Sequence, residues 1–337
     1  MLVVGAELMV RGAVRIAARL HVRPLMIGLT VVAFGSSAPQ MAISTQAVFN
    51  GAPDIAVGSV VGSSIFSLLV TLGACALITP LRVSRQLVRL DLPMMLGATA
   101  LVFVLAFKGP LGPLEGGVLL MALLGYLYLL RNQAREHGRT YPATAVPTRT
   151  WPRCTAMFVV GIGLLVGGGH LLLAATVELA SDLGLSERVI GLTLVAVSAS
   201  LPELVTSLVA VLRGQRDIAV ANVVGSNLFN LLGVLGFTAL LAPLPLSISP
   251  NALAFDLPVM LGVAALSVPL FYSGLRITRT EGLMLLALYA LYGLHLIAFT
   301  TGMPLATRLE HAMLRYVLPP IVALIAFGTW RAWRRQH

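Results

Sequence analysis

Charge is scarce in these 337 residues. Only 11% are Asp, Glu, Lys or Arg, 58% are hydrophobic and mean hydropathy is +0.92, which excludes both a soluble globule and a disordered chain. A bilayer is the solvent that remains. Lysine is nearly missing, since 22 of the 23 basic residues are Arg and Lys108 is the exception. Nearly all the Arg fall between apolar runs, where they report topology, so the net charge of +10 is no argument for a nucleic-acid partner. The two cysteines, Cys75 and Cys154, lie in or beside apolar stretches without CxxC spacing. That excludes a disulfide framework and a zinc site. No Ser, His and Asp set and no His-x-x-x-His spacing occurs in the apolar runs, so an intramembrane hydrolase is a poor reading and no enzyme is expected. A cleavable leader is not expected either, because Glu7 and Arg11 interrupt the first apolar stretch and no small-residue cleavage site follows.

What the chain has in quantity is apolar runs of membrane length, each near the roughly 20 residues that a spanning helix requires. They fall at 1–20, 24–50, 54–79, 86–107, 113–131, 153–182, 187–212, 217–241, 251–271 and 280–299, and a shorter eleventh runs from Tyr316 to Trp330. The stretch from Arg131 to Arg153 holds five Arg with several Pro and Thr, and it reads as a linker. The expected organisation is therefore a membrane repeat at 1–130, a basic linker at 131–153, a second repeat at 154–299 and an extension at 300–337.

The two halves are related. A shift of 163 residues aligns Ile27–Gly73 with Ile190–Gly236 without a gap and gives 25 identities in 47 positions. Further on, Asp91-Leu92-Pro93 answers Asp256-Leu257-Pro258, and Glu115-Gly116 answers Glu281-Gly282. Each repeat holds five helices. An odd number inverts the second repeat against the first, the design of many secondary transporters. The Arg distribution agrees: with the linker cytoplasmic, Arg19, Arg23, Arg82, Arg85, Arg89, Arg213, Arg216, Arg276 and Arg279 all lie inside, and an eleventh helix brings in Arg331, Arg334 and Arg335. The fold class expected is an all-α, multi-pass membrane protein of two inverted five-helix repeats with an eleventh helix. In a prokaryote its place is the plasma (inner) membrane. Under the same shift Met1 answers Leu164, so helix one looks short by two or three turns, from an upstream start or by construction.

Chemistry concentrates where the second helix of each repeat turns small and polar, at Ala33-Phe34-Gly35-Ser36-Ser37-Ala38-Pro39-Gln40 and Ala196-Val197-Ser198-Ala199-Ser200-Leu201-Pro202-Glu203. Proline removes an amide donor and frees carbonyls one turn back, which predicts two half-broken helices. Free carbonyls at membrane depth must face protein, water or a cation. The third helices supply oxygens in Gly62-Ser63-Ser64-Ile65-Phe66-Ser67 and Gly225-Ser226-Asn227-Leu228-Phe229-Asn230. Ser63 and Ser67 are one turn apart, as are Ser226 and Asn230. Two broken helices and two polar faces would converge on one oxygen-lined cavity.

At these residues the chain resembles the sodium/calcium exchanger family of calcium/cation antiporters, whose signature is a duplicated G-T-S-L-P-E element followed by G-N-x-x-G-S-N. The resemblance covers 1–299. It implies two inverted five-helix repeats and countertransport of small cations, usually Ca2+ against Na+ or H+, with no resident cofactor. The ion-coordinating positions it implies are Ala33, Ser36, Ser37, Gln40, Ser63, Ser67, Ala196, Ala199, Ser200, Glu203, Ser226 and Asn230, with Glu203, Gln40, Ser63, Ser226 and Asn230 nearest the metal.

This sequence departs from the pattern. Gln40 stands where the family has its first-repeat Glu, Ser36 and Ala199 replace frequent Thr, and Ser67 and Asn230 stand where members often carry Asn or Asp. Glu203 is then the only carboxylate among the twelve. A carboxylate about 4 Å from a cation contributes roughly 4 kcal/mol per unit of cation charge at an effective dielectric near 20, so its loss weakens a divalent ion about twice as much as a monovalent one. Ca2+ also prefers six to eight oxygens. The alternatives are a monovalent cation/proton exchanger using Glu203, and a degenerate, non-transporting membrane subunit. Among other polar residues, Glu7 and Arg11 are spaced for an ion pair, and His170 and His295 are expected to be structural. Glu178 faces water, Asp54 and Asp217 are N-caps, and Asp91, Asp256, Glu115 and Glu281 are first-turn charges.

Overall fold

The structure, a computed structural model, describes residues 1–20, 24–137, 151–182, 195–272 and 274–300. Ten helices follow one another within these: α1 (Leu2–Leu20), α2 (Leu25–Phe49), α3 (Pro53–Ile78), α4 (Leu87–Lys108), α5 (Pro113–His137), α6 (Trp151–Asp182), α7 (Val195–Leu212), α8 (Arg216–Leu241), α9 (Ala252–Tyr272) and α10 (Arg279–Thr300). All but α1 and the described part of α7 are long and apolar enough to cross a membrane. The expected start of helix seven at 187–194 and the eleventh helix, Tyr316 to Trp330, lie outside the described residues. At the head of the linker, α5 runs on to His137.

Neighbouring packings reproduce the repeat. Helix α5 packs on α8 and α3 on α10, while α4 meets α9 and α2 meets α7. Each is a pair that exchanges with its partner, or with itself, when five is added to the helix number. The loops obey the same rule. β1 (Leu81–Arg82), between α3 and α4, pairs antiparallel with β2 (Arg276–Ile277), between α9 and α10. Leu111, between α4 and α5, pairs with Leu246, between α8 and α9. Helix counting puts the first two loops on one face and the last two on the other.

Burial separates a centre from a rim. In their most apolar stretches every residue of α8 is buried, against 22% for α6. At the rim, α1 lies along α6. Their contact needs glycine: a Cβ on Gly161 would sit 2.6 Å from the Met9 amide nitrogen and 2.8 Å from the Gly5 carbonyl oxygen. Gly12 lies against Phe158 and Cys154, whereas Gly168 lies against Met1 and Leu2, so the two helices run antiparallel.

Three local expectations are corrected. The helices are not broken at Pro39 and Pro202, since α2 and α7 continue through both. Within the proline elements, Ser36 Oγ lies 3.1 Å from the Ala33 carbonyl and Ser200 Oγ 2.8 Å from that of Ala196. The distortion appears elsewhere, as wide turns with i→i+5 bonding at Gly28–Val32, Ser67–Thr71, Leu87–Asp91, Phe229–Val234 and Ala252–Asp256. Asp54 and Asp217 are not N-caps: Ala52 and Gln215 hold those positions, and each Asp sits in the first turn. The Pro53 ring starts its helix one residue before Asp54. Asp91 and Asp256 are buried rather than end charges, because the wide turns carry α4 and α9 a turn further back. Asp91 accepts from the Tyr126 hydroxyl at 3.1 Å, and Asp256 from that of Tyr292 at 3.0 Å and from Asn251 Nδ2 at 3.4 Å.

The first-turn acids Glu115 and Glu281 and the Glu7–Arg11 pair are as expected. Glu115 accepts from the Gly112 amide, and Glu281 forms a reciprocal cap with Thr278. Glu7 pairs with Arg11 and also with Arg213. His295 is buried against the Phe255 ring, with centroids 3.7 Å apart, while His170 and Glu178 are exposed.

Candidate cation site

Four helices frame the site. α2 and α7 carry the proline elements, α3 and α8 the Gly-Ser elements, and all four pack on one another across the repeat. Close approach depends on the glycines of the Gly-Ser elements: a Cβ on Gly225 would fall 2.7 Å from the Leu29 carbonyl oxygen and 2.8 Å from Ala33 Cβ, and one on Gly62 would fall 2.9 Å from Ala196 Cβ. Thus α8 packs on α2 almost backbone to backbone, while α3 meets α7 at the Ala196 side chain.

Glu203 stands at the centre, 1% exposed. Its Oε1 accepts from Ser37 Oγ at 3.2 Å and Asn230 Nδ2 at 2.9 Å, and its Oε2 accepts from Ser67 Oγ at 2.6 Å. Two donors come from the first repeat and one from the second. Asn230 Nδ2 also lies 3.1 Å from Ser63 Oγ. A carboxylate taken out of water is tolerable only with such partners. The structure therefore brings Ser37, Ser63, Ser67, Glu203, Ser226 and Asn230 together. Ser67 opens the wide turn of α3, and Asn230 is the second residue of that of α8.

The other positions are buried around this centre. Ser200 Oγ donates to the Ala196 carbonyl at 2.8 Å, whereas Ser226 Oγ lies 3.2 Å from the Val223 carbonyl and also within reach of the Glu203 carboxylate. Ser36 Oγ lies 3.0 Å from Asn222 Oδ1. Ala33 and Ala196 are buried at the two helix contacts, and Ala199 packs with Ile43, Ile55 and Leu173. Gln40 sits in a slot between α2 and α3, its Nε2 donating to Ser59 Oγ at 2.9 Å and approaching Ser44 Oγ at 3.3 Å. Gln40 Oε1 and Asn230 Oδ1 are buried oxygens without a hydrogen-bond partner.

Sequence reasoning missed Asn222, Ser59, Ser44 and Ser207. Asn222 Nδ2 donates to Ser207 Oγ at 3.0 Å and approaches the Glu203 carbonyl at 3.5 Å, while its Oδ1 accepts from Ser36. The signal was available, since the 163-residue shift pairs Ser44 with Ser207 and Ser59 with Asn222. Among the described residues no group of three or more His, Cys, Asp or Glu could hold a metal. A cation here would meet one carboxylate and neutral oxygens.

Comparison with known proteins bears on this geometry. The family described as "Sodium/calcium exchanger protein" matches residues 1–131 and 154–298. The chain is 36% identical over 302 residues to the putative antiporter CaxA of Alkalimonas amylolytica, covering 87% of this chain and 94% of the relative. It is 30% identical over 330 residues to the sodium/calcium exchanger MaX1 of Methanosarcina acetivorans, covering 86% and 94%. A solved structure of the sodium-calcium exchanger NCX_Mj, soaked with Na+ and Sr2+, superposes with a TM-score of 0.74 at 28% identity, covering 88% of this chain and 94% of that one.

Proposed function

Because the chain belongs to the sodium/calcium exchanger family, we propose that it is a secondary antiporter exchanging Ca2+ against Na+ or H+ by alternating access, with Glu203 as the charge of its ion site. The observation that carries this reading is the buried Glu203 carboxylate, met by Ser37 and Ser67 from one repeat and Asn230 from the other. A cation entering between the repeats exchanges its water for these oxygens and for the unpartnered Asn230 Oδ1. The hydroxyls of Ser37 and Ser67 turn their lone pairs toward the ion as their protons leave the carboxylate. The names of MaX1 and NCX_Mj support Na+ and Ca2+ as the cargo.

The antiparallel α1 and α6 lie at the rim and also contact α2 and α7. Their sliding past the core would open the Glu203 cavity to each side in turn. The repeats at 1–130 and 154–299 are the two halves of the transporter, and the basic linker at 131–153 lies on the cytoplasmic side by the positive-inside rule. This is a transporter's site rather than an enzyme's. Its partners are small cations and the bilayer.

A second reading is favoured by one specific observation: Gln40 brings an amide where a second carboxylate would match a divalent ion. A single acid suits a monovalent cation exchanged for a proton carried on Glu203. Flux into liposomes separates the readings. Na+-gradient-driven 45Ca2+ uptake is the expected result. Gradient-driven pH change without 45Ca2+ movement gives the monovalent reading, and neither signal gives a non-transporting subunit.

A further inference from the structure

Resting on the reading of Glu203 as the ion site, the geometry points to residues 40, 59 and 199 as one selectivity unit, in which an acid at 40 becomes an ion ligand only when an amide stands at 59 and a hydroxyl at 199. The argument begins with a slot between the second and third helices of each repeat, lined in the first by Ser44 and Ser59, 3.4 Å apart, and in the second by Ser207 and Asn222. All four residues are at most 2% exposed, so every polar atom there needs a partner. Ser59 gives its own proton to the Ala56 carbonyl at 3.0 Å. Its free lone pairs face inward, and the slot requires a donor.

Both repeats supply that donor as an amide, from opposite helices. In the first repeat it is Gln40 Nε2, reaching from α2 to Ser59 on α3. In the second it is Asn222 Nδ2, reaching from α8 to Ser207 on α7. With Asn222 filling its slot, Glu203 turns to Ser37, Ser67 and Asn230. With serine at 59, Gln40 is held in the slot. The amide carries a second requirement, because Asn222 Oδ1 also needs a donor and receives Ser36 Oγ, 3.0 Å away, from the other repeat. The same 163-residue shift relates Ser36 to Ala199, which has no hydroxyl, and Ser59 to Asn222. Three differences between the repeats thus belong together: Gln40 with Ser59 and Ala199, and Glu203 with Asn222 and Ser36.

Gln40→Glu alone takes the donor from the slot. The new carboxylate either draws the Ser59 proton from Ala56 and stays between Ser44 and Ser59, or leaves two buried hydroxyls short of a donor. Either way its charge is poorly delivered to the ion. Adding Ser59→Asn refills the slot, and adding Ala199→Ser satisfies the new amide oxygen.

The test is calorimetric Ca2+ and Na+ binding to the purified full chain, its Gln40→Glu variant and the Gln40→Glu/Ser59→Asn/Ala199→Ser triple variant, each checked for cooperative unfolding. The triple variant is expected to bind Ca2+ about tenfold more tightly than Gln40→Glu, the size of a strong coupling between contacting residues, with a smaller change for Na+. Equal Ca2+ affinity in the two variants overturns the unit. If the triple variant does not fold, Asn222→Ser tests the same idea from the other side: it is expected to let Glu203 settle against Ser207 and weaken Na+ binding about tenfold, and unchanged Na+ affinity overturns the proposal. Glu203→Gln keeps the two ideas apart. Cation binding that survives this substitution overturns the underlying site reading, whereas binding lost here but equal in the single and triple variants overturns only the unit.

Discussion

The second repeat holds its charge where the first holds an amide, on a backbone that the two share through the same proline and matching wide turns in their third and fourth helices. Glu203 is met by hydroxyls and an amide drawn from both repeats, while Gln40 bonds only to Ser44 and Ser59 of its own. The fold therefore keeps its two-fold relation while the electrostatics does not. Packing constrains volume and backbone approach, and Gln and Glu are nearly the same size, so a charge can leave one half without disturbing the scaffold. On the proposed reading of the site, what it changes is the ion. A cavity with one carboxylate discriminates less between a divalent and a monovalent cation than one with two.

The largest effect that this comparison predicts is at Glu203. Glu203→Gln makes the halves alike at this position and removes the only charge of the site, so cation-coupled flux in liposomes should fall by about two to three orders of magnitude, following the roughly 4 kcal/mol of a nearby unit charge. Thermal unfolding should move little, because the amide keeps the shape and can bond to the same Ser37 and Ser67 hydroxyls. Undiminished flux from a well-folded variant would remove Glu203 from the site. Asn230→Asp comes next and deepens the asymmetry instead. It sets a second carboxylate beside Glu203, whose Oε1 is 2.9 Å from the present amide nitrogen, and should strengthen Ca2+ binding about tenfold and Na+ binding less. Isothermal titration with each ion checks it, and equal gains for the two ions would contradict it.

Much of this was legible in the sequence, for identifiable reasons. A proline element and a Gly-Ser element repeated at one offset locate four site helices, because the offset fixes which residues share a depth and the odd helix count inverts the halves. Among the described residues, apolar runs between Arg-rich breaks locate the helix ends to within a few residues, apart from α5, whose polar last turns from Asn132 to His137 look like linker. The wide turns were not legible: Ser67–Thr71 and Phe229–Val234 are largely apolar sequence with no proline or glycine pattern that separates them from the rest of their helices. That gap concealed the burial of Asp91 and Asp256, which look like end charges when a helix is assumed to begin at the nearby proline. The slot residues Ser59 and Asn222 were visible as a mismatch in the repeat. Only the distances give that mismatch a meaning, because the amide has moved to the facing helix.

A third comparison of the halves uses the buried Asp–Tyr pairs. Asp91 has Tyr126 as its hydrogen-bonding side chain and its Oδ2 is unpartnered, whereas Asp256 has both Tyr292 and Asn251. Removing one hydroxyl therefore leaves Asp91 with less than Asp256 keeps. Tyr126→Phe should cost about 1–3 kcal/mol, the range for a buried polar group left unsatisfied, and Tyr292→Phe less. Thermal unfolding in detergent measures both, and a larger loss for Tyr292→Phe would contradict the assignment of Asn251 as a second partner.

The smallest effect is expected where the halves differ at their rim. Glu7 of α1 joins Arg11 on its own helix and Arg213 at the end of α7, with Arg213 Nε 3.0 Å from Glu7 Oε2. The repeat-related positions carry His170 and Asn50, so no matching ion pair can tie α6 to the end of α2. Both Arg side chains are about half exposed, at 47% and 50%, where an ion pair contributes about 0–1 kcal/mol and is screened by salt. Arg213→Gln should therefore leave global stability nearly unchanged. It should instead raise amide hydrogen exchange in α1 by at most about fivefold at low salt, the factor that corresponds to about 1 kcal/mol, and leave exchange in α6 as it was. The difference should vanish in high salt, since Arg11 still holds Glu7 within α1 and only the tie to α7 is lost. Equal loosening of α1 and α6 would mean that the tie acts on the pair of helices as a unit, and that the rim, unlike the cavity, behaves symmetrically despite its sequence.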